Sequence, residues 1–166
     1  MKNPLVLMQT NFGDITIEVY EKEVPIHAGN FLKLVDESFY DSLTFHRIVP
    51  NFVIQGGDPD GTGMGGAPGK LADDPSSPYK HDRATIAMAR GRTDASTSQF
   101  YINLKENYGL DRQGFLIFAK VIDGMDVVDK IAAVKRDNMD KPLEPVIMTK
   151  VARLETKKDI GEKSDK

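Results

Sequence analysis

Residues 45–57 read FHRIVPNFVIQGG. Two short apolar runs flank a Pro50-Asn51 turn, with Phe45, Ile48 and Val49 before it and Phe52, Val53 and Ile54 after it. Pro-Asn is turn chemistry, so the runs read as two adjacent strands. Arg47 stands in the first and Gln55 in the second. Alternation along a strand puts Arg47 on the face of Phe45 and Val49, and Gln55 on the face of Val53. A guanidinium among apolar groups has a plain reading, an edge-strand arginine paired with a surface carboxylate. It also has a functional one: held by the Gln55 amide instead, Arg47 keeps its charge free to act on a ligand.

Outward from this hairpin the pattern stays mostly β. LVLMQT and DITIEVY form two strands about Phe12-Gly13, with Ile15, Ile17 and Val19 alternating against Thr16, Glu18 and Tyr20. TIAMA, QFYINL, FLIFAKV and a last strand within PVIMTKVARL follow later. Two segments carry helical spacing. Ala28, Phe31, Leu32 and Val35 fall at i, i+3, i+4 and i+7 after Pro25, and Val127, Val128, Ile131 and Val134 share one stripe. About eight strands and two helices, not alternating, predict an antiparallel sheet that closes into an eight-stranded barrel capped by two helices. Residues 1–154 read as a single domain and 155–166 as a polar, frayed tail.

The 166-residue chain is 40% apolar with a net charge of −3, which gives no sign of a nucleic-acid or anionic-membrane partner. With no cysteine, thiolate catalysis, disulfides and zinc–sulfur sites are excluded. No apolar run reaches membrane-spanning length. Composition thus predicts a cytoplasmic protein.

Several motifs fail on inspection. Gly61, Gly63 and Gly66 match G-x-G-x-x-G, but APGKLADDPSSP follows, which cannot start the helix that a dinucleotide site needs. Asp58, Asp60, Thr62 and Gly63 resemble a calcium loop, yet its twelfth position is Gly69, not a glutamate. His27, His46 and His81 show no ligand spacing. His27 is expected to face water from the first helix, and His46 to be a hydrogen-bonded structural residue. No serine sits in G-x-S-x-G.

Taken together, FHRIVPNFVIQGG, GTGMGG, AMARGRTDASTSQFYINL and FAKVIDGMDVVDKI resemble the cyclophilin family of peptidyl-prolyl cis–trans isomerases, and NFGDITIEVY and NFLKLV fit it too. The resemblance runs from about residue 5 to residue 153, in order. The small chain looks like a prokaryotic member. The resemblance implies an active groove on the outside of the barrel. Arg47 takes the place of the family's catalytic arginine and Gln55 that of the glutamine supporting it. Phe52, Val53, Tyr101 and Leu110 match positions lining the proline pocket. Ala89 and Arg90 match the stretch that binds the residue before proline, and Gln99 the groove glutamine. Four positions depart from the pattern. Val53 replaces a methionine, Tyr101 replaces a phenylalanine, and Gly109 stands where an aromatic precedes Leu-Asp, with Tyr108 one residue earlier. Phe115 falls near a histidine of many members.

The implied partners are proline-containing peptides and unfolded or folding proteins, with cyclosporin-type inhibitors bound weakly for want of that aromatic. A monomer is implied, without metal or cofactor, because rotation about an X-Pro bond makes and breaks no covalent bond. A cyclophilin-like binding module with little turnover is the alternative.

Overall fold

The computed structural model describes residues 2–154; the expected tail lies outside them. Nine strands form one antiparallel sheet: β1 (Leu5–Thr10), β2 (Gly13–Val19), β3 (Leu43–Thr44), β4 (Arg47–Val49), β5 (Val53–Gly56), β6 (Thr85–Arg90), β7 (Ala95–Asn103), β8 (Ile117–Asp123) and β9 (Ile147–Leu154). Their order is β3-β9-β1-β2-β8-β6-β7-β5-β4, curled into a half-barrel. Three helices accompany it: α1 (Pro25–Asp36), α2 (Gly109–Arg112) and α3 (Met125–Ala132).

The count differs from the expected eight strands and two helices at two places. One strand is additional: β3, at Leu43–Thr44, precedes the expected run, and Phe45 and His46, expected to begin that run, leave the ladder between β3 and β4. Phe45 donates its N–H to the Val146 carbonyl and turns its ring inward, 6.0 Å from that of Phe100. It is fully buried and does not share the face of Arg47. Helix α2 has four residues, too few to display a helical period. The strand ladder ends at β3 on one side and β4 on the other, so strand pairing alone does not close it. A single bond from the Gly57 N–H to the Thr44 carbonyl, at 3.2 Å, links β3 to the end of β5. Gly56 and Gly57 permit this approach. A Cβ at Gly56 would lie 2.6 Å from the Thr44 oxygen, and one at Gly57 2.8 Å from the Ser98 oxygen.

The hairpin at Pro50-Asn51 forms as its residues dictate. Phe52 N–H donates to the Val49 carbonyl at 3.0 Å, and Asn51 adopts φ +63°, the left-handed conformation that a type II turn requires after proline. The pairing that results is Arg47 opposite Gln55, Ile48 opposite Ile54, and Val49 opposite Val53. Gln55 pairs in turn with Tyr101 of β7, and Tyr101 with Ala87 of β6. The adjacent row, Ile48, Ile54, Ile102 and Ile86, is fully buried. Period-two alternation thus sends the isoleucines into the core and the Arg47–Gln55–Tyr101 row to the other face.

Helix α1 packs on β7, β8 and β9, and α3 on β2, β4 and β5. Pro25 occupies the first turn of α1, where its missing N–H costs nothing. Val24 supplies no side-chain cap; instead Asp74 accepts the Ile26 and His27 backbone N–H groups at 2.8 and 2.9 Å. Asp73 beside it lies 3.1 Å from His27 Nε2, so His27 is buried under the loop rather than facing water. No described helix is long and apolar enough to cross a membrane.

Phe31 of α1 centres the core, its ring 5.3 Å from Tyr40, 5.7 Å from Phe100 and 5.3 Å from Phe118. Phe31→Ala is expected to lower unfolding free energy by about 3–5 kcal/mol, measured by urea denaturation.

Candidate active site

On the outer face of β4, β5, β6 and β7 lies a cavity of about 170 Å³. Its lining is Arg47, Phe52, Val53, Gln55, Ala89, Arg90, Tyr101, Leu110 and Phe115. Every sequence-derived site residue except Gln99 is in that set, and Phe115 joins them. A dry cavity of roughly 150 Å³ admits a benzene-sized ring, so this one has room for a small apolar ring. Phe115 stands edge-on to Tyr101, with centroids 5.8 Å apart. Gln99 is buried behind Gln55 and lines an adjoining groove of about 390 Å³ with Gly65, Gly66, Ala89 and Arg90. A further cavity of about 410 Å³ lies on the other side of Arg47 and Gln55, bordered by His46, Thr62, Asp137 and Lys141.

A directed chain of hydrogen bonds fixes the polar edge. Arg47 Nη1 donates to Gln55 Oε1 at 3.2 Å, Gln55 Nε2 to Gln99 Oε1 at 2.9 Å, and Gln99 Nε2 to the Gly65 carbonyl at 2.8 Å. Each amide oxygen accepts from the member before it, which fixes the orientation of both glutamines. Arg47 forms no ion pair among the described residues. Arg90 differs: Asp73 takes both its terminal nitrogens, at 2.8 and 3.1 Å. The Arg90 hydrogen bonds hold the Asp73 carboxyl below the ordinary carboxylate range. One arginine of the site is therefore neutralised and the other is not.

The loop supplying Gly65 is organised by Asp58, which is almost fully buried. Its carboxylate accepts the backbone N–H groups of Asp60 at 2.8 Å, Thr62 at 3.1 Å and Gly65 at 3.2 Å, and that of Gly63 as well. Desolvation raises its pKa, but these bonds outweigh it and the net shift is downward. The stretch that resembled a calcium loop is thus a backbone nest closed on one carboxylate.

His46 departs from expectation. It is buried, but neither ring nitrogen has a hydrogen-bond partner among the described residues, and burial lowers its pKa. Tyr108, half-exposed, donates its hydroxyl to Asp82 at 2.6 Å, away from the pocket lining. Sequence reading meets Asp58 only as the first position of a failed calcium-loop pattern, and does not single out Asp73 or the pairing of His81 with Asp111. Their partners are 17 to 46 residues away or are backbone groups, and carry no spacing signature.

Residues 5–153 match the family model described as cyclophilin type peptidyl-prolyl cis-trans isomerase/CLD. The chain belongs to the cyclophilin family. The peptidyl-prolyl cis-trans isomerase ppi1 of Schizosaccharomyces pombe is 39% identical over 153 residues, covering 90% of this chain and 98% of that one. A peptidyl-prolyl cis-trans isomerase of Acinetobacter baylyi is 41% identical over 157 residues, covering 88% and 83%. The crystal structure of a Cryptosporidium parvum cyclophilin type isomerase, obtained in the presence of the dipeptide Ala-Pro, superposes with a TM-score of 0.83 at 32% identity. It covers 92% of this chain and 99% of that one. The activity of this cyclophilin is peptidyl-prolyl cis–trans isomerisation.

Asp58→Ala removes the acceptor of four backbone N–H groups and is expected to cost about 1–3 kcal/mol at neutral pH. The sign with pH follows from the lowered pKa. The stabilisation is present above the ordinary carboxylate value of 3.8 and is lost as pH falls through the folded value. Urea unfolding at neutral and strongly acidic pH should show wild type and variant converging in acid.

Proposed function

We propose that residues 1–154 act as one cyclophilin-like domain that speeds X-Pro rotation non-covalently, with Arg47 stabilising the twisted imide. The observation carrying this reading is a guanidinium that, among the described residues, has no carboxylate partner, at the lip of an apolar, ring-sized cavity. The planar X-Pro bond resists rotation by about 20 kcal/mol because twisting breaks amide resonance. In the twisted state the imide nitrogen becomes pyramidal and recovers a lone pair. A donor aimed at that lone pair favours the twisted state over the planar one.

Arg47 suits the task because it stays charged and presents a rigid fork of donors. The Gln55 oxygen orients the fork without cancelling its charge. Phe52, Val53, Tyr101 and Leu110 hold the proline ring, and Phe115 completes the wall. The backbone at Ala89 and Arg90 takes the residue before proline, with Gln99 along the groove. A reduction of about 7 kcal/mol in the barrier corresponds to roughly 10⁵-fold acceleration.

The Ala-Pro dipeptide named with the Cryptosporidium structure supports proline-containing peptides as ligands, and unfolded or folding chains as the larger substrates. Cyclosporin-type inhibitors are proposed to bind weakly, since Gly109 offers no aromatic surface. A cytoplasmic monomer is the setting proposed for this cysteine-free chain.

Arg47→Ala is expected to lower the cis-to-trans relaxation rate of a short Ala-Pro peptide by on the order of 10²-fold. Thermal melting should change little, because among the described residues the Arg47 side chain has one hydrogen bond to lose, that to Gln55. Undiminished turnover in a folded Arg47→Ala variant would remove Arg47 from the mechanism.

A further inference from the structure

Behind the apolar cavity lies a buried polar chain. Tyr101 turns its ring to the cavity and its hydroxyl to His81 Nε2, 2.8 Å away. His81 Nδ1 lies 2.7 Å from Asp111 Oδ1, and the His81 backbone N–H donates to Asp111 Oδ2 at 3.1 Å. His81 is fully buried and Tyr101 only 5% exposed. One assignment satisfies every group: neutral His81 donates from Nδ1 to Asp111 and accepts the Tyr101 hydroxyl proton at Nε2. Burial favours it, lowering the His81 pKa although Asp111 opposes this, and raising that of the Tyr101 phenol.

The chain joins two walls of the cavity. Tyr101 belongs to β7, on the sheet, while Asp111 belongs to α2 and follows Leu110 on the facing wall. A four-residue helix has little intrinsic stability. Asn107 tethers its start, donating from its amide to the Phe52 carbonyl and to Asn103 Oδ1 and from its backbone to the His81 carbonyl, and Asp111 ties the helix itself to the sheet through His81 and Tyr101. The His81 and Tyr101 rings also run nearly parallel, 25° apart with centroids 5.9 Å apart.

We propose that His81 is a positioning residue of the proline pocket, fixing the Tyr101 ring against Leu110 through the Asp111–His81–Tyr101 chain. The inference rests on the reading of the cavity as the proline pocket. His81 touches no substrate. It sets the width of the slot and therefore acts on peptide affinity more than on rotation of the bound peptide.

The test compares wild type, His81→Leu and the double variant His81→Leu/Tyr101→Phe with an Ala-Pro peptide. NMR titration gives affinity, exchange spectroscopy gives the rotation rate of bound peptide, and circular dichroism checks the fold. His81→Leu leaves the Tyr101 hydroxyl without an acceptor but keeps the backbone N–H that reaches Asp111. It is expected to weaken binding about tenfold, the worth of one buried hydrogen bond, with a much smaller drop in bound-state rate. The double variant, with both polar partners removed, should recover part of that loss. Unchanged affinity in folded His81→Leu, or additive losses in the double variant, overturns the proposal.

A second measurement uses wild type alone, so it does not depend on a variant folding. The His81 Nδ1–H proton, hydrogen-bonded to a carboxylate, is expected at low field and should shift on peptide addition. Tyr101 and Phe115 ring signals that respond while the His81 proton does not would overturn the positioning role alone. Ring signals that ignore the peptide would overturn the pocket reading and the His81 role with it.

Discussion

Arg47 and Gln55 face each other across β4 and β5, and that register has to satisfy both faces of the sheet at once. On one face it closes the buried row of Ile48, Ile54, Ile102 and Ile86. On the other it sets the guanidinium beside the amide. A slip of one residue would turn isoleucines out and the arginine in, costing the burial of several apolar side chains and stranding a charge. The core therefore enforces the geometry of the site. The same constraint explains the glycines after Gln55. Once β5 is registered by its neighbours, its end must pass within reach of Thr44 and Ser98, where a side chain has no room.

The two arginines of the site show how electrostatics divides the work. Arg90 is spent on Asp73, which also reaches His27 on α1, so that pair holds the loop over the helix. Among the described residues, the Arg47 side chain donates to the neutral oxygen of Gln55 and to no carboxylate. Within hydrogen-bond reach, a carboxylate in place of the Gln55 amide would hold the guanidinium more tightly but would cancel its field at the cavity. The Gln55–Gln99–Gly65 chain fixes Arg47 without that loss. It depends in turn on Asp58, whose buried carboxylate organises the loop presenting the Gly65 carbonyl. Positioning of the guanidinium thus extends, bond by bond, to a carboxylate that touches neither Arg47 nor the apolar cavity.

What the sequence made legible follows from range. Alternation in DITIEVY and the i, i+3, i+4, i+7 spacing after Pro25 are local patterns, and the strands and helices they mark are present. The Pro-Asn turn is local as well, which is why the juxtaposition of Arg47 with Gln55 could be read before any coordinates. The departure of Phe45-His46 from the ladder could not. Its cause is the bond of Phe45 to Val146, a residue at the far end of the chain. The burial of His27 is illegible for a similar reason: position on a helix face says which way a side chain points, not whether a distant loop covers it. His46 looked like a polar group that burial would oblige to pair. Burial does favour the neutral imidazole, but it does not supply a protein partner.

The departures at Tyr101 and Gly109 acquire a physical logic in this setting. A phenylalanine at position 101 needs nothing behind it, whereas a buried tyrosine hydroxyl needs a partner or costs about as much as it could contribute. His81 meets that need, and being an imidazole it also needs a second partner, which Asp111 provides. The requirement is mutual: without the hydroxyl, His81 Nε2 would itself be buried and unpaired. At the pocket edge, Gly109 offers no side chain to pack α2 against its surroundings, and Tyr108 spends its hydroxyl on Asp82. Beyond the Asn107 bonds that tether its start, the helix that carries Leu110 is held by the Asp111 carboxylate rather than by an aromatic clamp. A polar chain behind the wall does what apolar packing at the rim would otherwise do, and it leaves the surface of the cavity apolar.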